Sequence, residues 1–262
     1  MKASTLMMAV LALTVAGCTD NRELSVPGET PSSGAPQFGS VNATGCSGSM
    51  ASVLVPTDHV QSKLPDGFNP IQAIPGFVGV IVEGWACQST ASGGKDVGSG
   101  DWLFVYVYVE QPKNGPSDGV ASRVMFEAAV NNEALRIPLQ SAGFSVQAIR
   151  LTVDRTALPT AYDMQRVVVV QDDTQLYAWE NSNSKTNEDG LERSRTFLAS
   201  DPSTYWDSER RSSISGSAGP VAFRAEPGSV AAELIPSLTT VGLAKSIHDL
   251  SAVILAAGSH VE

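Results

Sequence analysis

The stretch Asp101-Trp-Leu-Phe-Val-Tyr-Val-Tyr-Val-Glu110 alternates without a break. Trp102, Phe104, Tyr106 and Tyr108 share one parity, and Leu103, Val105, Val107 and Val109 the other. Successive side chains of a strand point to opposite faces, so the pattern predicts a strand with one aromatic and one aliphatic face. A sheet with one wet face would carry polar residues at every second position. Neither face here suits water. The strand therefore has to be covered on both sides, as in a barrel or a half-barrel wrapped by helices. Its aromatic face reads either as central core or as the lining of a ligand cavity to which Tyr106 and Tyr108 offer hydroxyls.

A second apolar strand precedes it at residues 76–85 and runs on to Cys87. Gly79 and Gly84 within it mark bends or close backbone approach, as where a sheet curls. Residues 89–100 read as a Gly/Ser loop, giving a hairpin with a long connection. Upstream, residues 52–55 form a short apolar run ended by Pro56. Thr57-Asp58 has the form of a helix N-cap, followed by a short helix stopped by Pro65 and a turn cluster at 66–70. Downstream, residues 111–119 are turn chemistry, and residues 120–131 fit a helix or a strand. Further strands are expected at 144–154, 166–171, 176–180 and 221–226. The polar segment 181–195 reads as a surface excursion, and Asp172-Asp173 as a turn. Val241, Ala244, Ile247, Leu250 and Ile254 recur at helical spacing, which predicts an amphipathic helix packed on the sheet. The expected fold class is mostly β with a few helices (α+β): a single closed or half-closed antiparallel barrel with a C-terminal packing helix.

The beginning of the chain carries an address. Lys2, the apolar residues 6–15 and Ala16-Gly17 read as a signal peptide over residues 1–17. Val15-Ala16-Gly17-Cys18 resembles the bacterial lipobox, whose cysteine is lipidated and becomes the mature N-terminus. The apolar run is too short for a membrane span, so a lipid on Cys18 would be the membrane attachment. That implies an extracytoplasmic place in the cell envelope. Thr19 rather than an aspartate after the cysteine favours the outer membrane where one is present. Residues 18–40, rich in Ser, Gly, Pro and Thr, read as a flexible tether. Residues 41–262 are left as one barrel-like domain.

Cys46 and Cys87 are the remaining cysteines. In an oxidising compartment they most simply pair as a disulfide. Closing a loop of about 40 residues stabilises by roughly 3–4 kcal/mol on the chain-entropy view. His59, His248 and His260 lie at no ligand spacing, so no metal site is expected. Loss of the signal removes one lysine from 17 basic side chains and leaves 27 acidic ones, a net charge near −11. That opposes nucleic acid or anionic headgroups as partners. No phosphate-binding glycine loop, haem motif or calcium loop is present, and no cofactor is expected. Gly216-Ser-Ala-Gly219 falls one residue short of a nucleophile elbow. Ser217 therefore reads as part of a Ser/Gly stretch, and His248-Asp249 as decoration of the last helix. Trp179, Tyr205 and Trp206 read as peripheral core.

Residues 55–68 (Val-Pro-Thr-Asp-His-Val-Gln-Ser-Lys-Leu-Pro-Asp-Gly-Phe), the glycine-rich strand after them and Gly100-Asp-Trp-Leu-Phe-Val-Tyr-Val resemble the N-terminal half of acetoacetate decarboxylase-like proteins. The resemblance implies a cone-shaped barrel with a buried cavity. The family's lysine nucleophile, which forms a Schiff base with a β-keto acid, has no counterpart at residues 119–130. Glu127 and Ala128 fall near its place, and Lys113 sits in a Pro/Gly turn. A lysine-dependent decarboxylase is therefore not expected. The family's cavity glutamate matches Glu83. Inside an apolar strand a carboxylate is costly unless paired or protonated, so Glu83 reads either as a residue near solvent at the strand end or paired with an arginine, or as a cavity acid that donates to or polarises a ligand carbonyl. Arg123 and Glu127 would pair on a helix or project together from a strand.

Three functions follow as expectations. The first is an envelope-anchored barrel that binds a small, partly apolar carbonyl- or carboxylate-bearing molecule. Trp85, Phe104, Tyr106, Tyr108 and Arg123 would form its lining and Glu83 its polar contact. The second is an enzyme on the same scaffold using acid–base chemistry at Glu83, with Glu127, on a keto acid or related substrate. The third is a structural envelope lipoprotein with a filled barrel.

Overall fold

The structure, a computed structural model, describes residues 40–112, 120–141, 146–160, 162–184, 187–215, 219–235 and 239–259. The signal segment, Cys18, most of the tether, Lys113, Ser217 and His260 lie outside them. In chain order the elements are β1 (Val41–Pro56), α1 (Thr57–Gln61), β2 (Gln72–Ile74), β3 (Phe77–Ser92), β4 (Lys95–Val109) and β5 (Ala121–Val130). Then come α2 (Glu133–Ser141), β6 (Val146–Gln147), β7 (Arg150–Ala157), β8 (Tyr162–Gln171), β9 (Thr174–Ser184) and β10 (Asn187–Leu198). The chain closes with β11 (Thr204–Ser215), β12 (Gly219–Ala225), α3 (Val230–Leu234) and β13 (Thr239–Ser259).

The strand pairings run round a ring, β1–β3–β4–β5–β10–β11–β13 and back to β1. All are antiparallel except β5–β10, which is parallel and departs from the purely antiparallel expectation. A branch, β12–β9–β8–β7, leaves the ring at β13. Its Val167, Val169, Tyr177, Trp179, Val221 and Phe223 pack on the aliphatic residues of β3, β4 and β5. The aromatic parity of β4 faces the other way, into the ring, with Ile81, Trp85, Met125, Trp206 and Leu250. Both faces of the opening strand are thus dry, as its alternation requires. The covering on the aliphatic side is mainly a second sheet layer, with α1 and α3 adding Val60, Ala231 and Leu234.

Several expectations are corrected. Residues 241–255 are not a helix but part of β13, which borders β1 on one side and β11 and β12 on the other. Ile247 pairs with Gly48 and Leu250 with Cys46, so three residues of β13 stand against two of β1. That irregularity accounts for one step of the helical spacing, 247 to 250, whereas the step from 244 to 247 falls in unbroken register. The described residues of the polar segment 181–195 are no excursion: 181–184 end β9 and pair with β8, Asn181 also pairing with β12, and 187–195 belong to β10 and pair with β11. Residues 120–131 resolve to a strand. The β3–β4 connection is a tight hairpin at Gly93-Gly94, both with positive φ (57° and 78°), and not a long loop. Asp172 and Asp173 (φ 47° and 61°) turn the β8–β9 hairpin in the same way. Helix α2 was not anticipated. The Asn132 side chain accepts from the Ala134 N–H (3.0 Å) at its start, and Leu135 and Leu139, one turn apart, join the cluster around Trp102.

Cys46 and Cys87 stand opposite each other on β1 and β3 and form the expected disulfide. Trp179 and Trp206 are fully buried, in the outer and the inner cluster respectively.

Candidate functional site

Inside the ring, β4 presents a column of rings. Trp102 and Phe104 stack with centroids 5.9 Å apart, and Trp85 from β3 sits 5.0 Å from Phe104. Trp206 from β11 meets the edge of Phe104 at 6.5 Å. Tyr106 and Tyr108 make a T-shaped pair at 5.6 Å. These contacts follow from β-register alone: Glu83 stands opposite Phe104, Ile81 opposite Tyr106 and Trp85 opposite Trp102. Aromatic neighbours at such spacing add to the stabilisation from burial, by about 0.5–1.5 kcal/mol per pair.

Among these rings lies a group of four charges. Glu83 is fully buried. Its Oε1 accepts from the Trp85 indole N–H (2.8 Å) and from the Arg210 guanidinium, and its Oε2 accepts from the Tyr106 hydroxyl (2.8 Å). Arg210 also donates to Glu192, whose other oxygen accepts from the Tyr108 hydroxyl (2.9 Å). Arg123 stands 4.0 Å from that oxygen, donates through Nε to Thr196 Oγ1 (2.6 Å) and through Nη2 to Ser208 Oγ (3.4 Å), and lies 4.7 Å above the Tyr106 ring. Ser208 is hydrogen-bonded in turn to Ser194 (2.9 Å). Two glutamates and two arginines balance, which is what allows so much charge in a dry barrel. Burial alone would raise the Glu192 carboxyl, but the Arg210 and Arg123 guanidiniums hold it below the ordinary range. Burial and then the nearby Glu83 carboxylate push the Tyr106 hydroxyl well up, so it stays a proton donor to Glu83. Burial and Glu192 do the same for Tyr108.

Arg123 and Arg210 converge, with Ser194 and Ser208, on a void of about 10 Å³ walled by Trp85, Phe104 and Trp206. That is room for roughly one water molecule.

The structure gathers Glu83, Trp85, Phe104, Tyr106, Tyr108 and Arg123 inside the ring and separates Glu127 from them. Val105 pairs with Glu127 but Tyr106 with Met125, so Phe126 is an extra residue in β5. This bulge reverses the parity of β5 midway. Arg123 points into the barrel, while Glu127 points to the outer layer and accepts from the Tyr177 hydroxyl at 2.5 Å. Tyr177 in turn accepts from the Ala231 N–H of α3 (3.3 Å). Burial raises the Glu127 carboxyl, with the Tyr177 hydrogen bond pulling the other way. Glu127 therefore shares no site with Glu83.

Arg210, Glu192, Ser194, Thr196 and Ser208 were missed by the sequence reading. They sit on paired rungs of β10 and β11, Glu192 against Arg210 and Ser194 against Ser208. Both parities of β10 are polar, so no alternation announces which one faces inward. Ala128, near where the resemblance would place a lysine, is buried opposite Phe104. Among the described lysines, Lys63 and Lys95 are exposed and Lys245 is half-buried on β13 opposite Met50; none lines the void. Among the described residues, no three His, Cys, Asp or Glu side chains converge as metal ligands.

No protein-family profile matches the chain, and no curated protein matches it in sequence. Solved structures do match in shape. The enduracididine biosynthesis enzyme MppR, complexed with the condensation product of pyruvate and imidazole 4-carboxaldehyde, superposes with a TM-score of 0.58 at 12% identity, over 87% of this chain and 92% of that one. MppR complexed with pyruvate gives 0.54 at 11% identity, over 87% and 91%. An acetoacetate decarboxylase-like enzyme from Sphingomonas wittichii RW1 gives 0.52 at 12% identity, over 85% and 92%. Identity this low carries the fold and not the chemistry. The chain has the acetoacetate decarboxylase-like fold.

Proposed function

We propose that this chain is a lipid-anchored envelope protein whose barrel binds a small carboxylate of the 2-oxo acid class, without Schiff-base chemistry. The observation that carries the reading is that Arg123 and Arg210 line, with Ser194 and Ser208, one small void among aromatic rings. A guanidinium pair matches a carboxylate in charge and planar geometry, and the rings accommodate its apolar remainder. MppR, of the same fold, is seen with pyruvate bound, which supports the class. Glu83 then acts as a positioning residue. All of its hydrogen bonds are used on Trp85, Tyr106 and Arg210, so it fixes the arginine instead of handing a proton to a ligand. The acid–base alternative loses its second carboxylate, because Glu127 faces the outer layer.

The size of the void favours one other reading, a structural lipoprotein with a filled barrel. Titration calorimetry on the full chain, extracted in detergent from its host, separates the two. Pyruvate and 2-oxobutyrate are expected to bind and the neutral pyruvamide is not. No heat from any carboxylate, together with a native mass free of adducts, would leave the filled barrel. The anchor is tested separately: Cys18→Ser is expected to release the protein from the membrane fraction.

A further inference from the structure

The two arginines of the barrel are not waiting open. Arg210 donates to Glu83 on one side and to Glu192 on the other, and Arg123 faces the same Glu192 oxygen at 4.0 Å. The two glutamates are held differently. Glu83 is on β3 with no exposed surface, fixed by an indole and a phenol hydroxyl. Glu192 is on β10 with 28% of its side chain exposed, against 12% for Arg210 and 8% for Arg123. Its hydrogen bonds come from Tyr108 and Arg210 alone among the described contacts. Of the four charges, Glu192 has the most exposed side chain.

We propose that the Glu192 carboxylate is an internal stand-in for the ligand's carboxylate, and that an entering 2-oxo acid displaces it from Arg210 and Arg123. This rests on the carboxylate-binding reading above and explains why the void beside the two arginines has room for only about one water. Displacement keeps the charge count: one carboxylate leaves the guanidiniums as another arrives, and Glu192 regains water. A neutral ligand offers no such exchange. The barrel thereby selects for an anion, because only an anion repairs the charge that Glu192 leaves behind. The exchange also predicts a weakened apparent affinity, since the ligand competes with a tethered carboxylate at high effective concentration.

The test compares wild type, Glu192→Ala and Glu192→Gln as full chains, titrated with pyruvate and read by tryptophan fluorescence, with Trp85 and Trp206 on the void as reporters. Both variants are expected to bind pyruvate at least tenfold more tightly than wild type, with pyruvamide unchanged. Equal or weaker pyruvate binding by folded variants would overturn the displacement while leaving carboxylate binding in place. Absence of binding by wild type and folded variants alike would overturn both. The glutamine keeps the size and acceptor oxygen of the side chain, so it guards against loss of fold in the alanine variant. If both variants unfold, Glu192 is structural and cannot be the displaced group.

Discussion

Glu83 and Arg210, 127 residues apart in the chain, are hydrogen-bonded to each other inside the barrel. The contact joins β3 to β11 across the interior, between strands that are not neighbours in the sheet. It ties the half of the domain that is rich in apolar strands to the half that is polar in sequence. Arg210 thus closes the barrel electrostatically as the backbone pairing closes it by hydrogen bonds.

Removing one partner of that pair should cost far more than the pair itself is worth. Arg210→Met leaves a carboxylate with no exposed surface and no cation, an expected loss of about 3–5 kcal/mol. Glu83→Gln keeps one acceptor oxygen, enough for Trp85 and Arg210, and turns an N–H toward the Tyr106 hydroxyl, which can accept it; the loss should be nearer to about 1–3 kcal/mol. The double variant should be less destabilised than the sum of the two, since Glu83→Gln removes the buried charge that Arg210→Met leaves unpaired. Urea unfolding followed by tryptophan fluorescence measures all three. Additive losses would mean that the two side chains do not act as a pair.

Glu127 supplies the pH-dependent prediction. Its carboxyl is raised by burial, so the folded state favours the protonated form. The stability this contributes is fully present below the unfolded value of about 4.3 and is lost as pH rises through the folded value. Glu127→Gln keeps an acceptor for Tyr177 and carries no charge at any pH. The variant should match wild type near pH 4 and become the more stable of the two as pH rises above that. Thermal melts across pH 4–8 check it. A variant that matches wild type near pH 4 and falls below it as pH rises would show that the ionised carboxylate is the form the Tyr177 contact needs.

The alternating strand at residues 101–110 and the apolar strand before it were legible because apolar side chains on both faces report burial on both. They carried the aromatic interior, whereas the acetoacetate decarboxylase-like fold and the cavity place of Glu83 came from the resemblance of residues 55–68 and these two strands to that family. What failed to show has physical causes. The bulge at Phe126 inverts parity inside a continuous apolar run, so Arg123 and Glu127 look like one face and occupy two. In β13 only the step from Ile247 to Leu250 falls on a register irregularity; the other apolar positions at helical spacing belong to a strand that is paired on both edges. In β10 and β11 the polar residues that face inward are Glu192, Ser194, Thr196, Ser208 and Arg210, buried or half-buried as mutually satisfied groups. Residues 181–195 therefore look like surface until their partners are known. Half of the candidate site was hidden because its burial rests on pairing between distant residues.

Gly48 shows how tightly the ring is wound around that site. It stands opposite Trp85 on β3, and its carbonyl accepts from Gln165 of the outer layer (3.1 Å). A Cβ built at Gly48 would lie 1.9 Å from the Gly84 carbonyl oxygen and 2.9 Å from Trp85 Cα, both backbone atoms that no rotamer change can clear. Gly48→Ala must therefore push β1 away from β3 just where Trp85 reaches into the barrel. Such overpacking costs about 1–3 kcal/mol and occasionally more. Gly190 in β10 is the control, since a methyl there meets only the Ser212 carbonyl at an ordinary 3.8 Å. Gly190→Ala should be neutral or stabilising by up to about 1 kcal/mol, because it narrows the unfolded ensemble. Urea midpoints give the two stabilities, and the tryptophan emission maximum of Gly48→Ala should shift to the red as water reaches Trp85. A Gly48→Ala protein with wild-type midpoint and emission would mean that β1 and β3 are not held in the close approach on which the barrel's interior geometry depends.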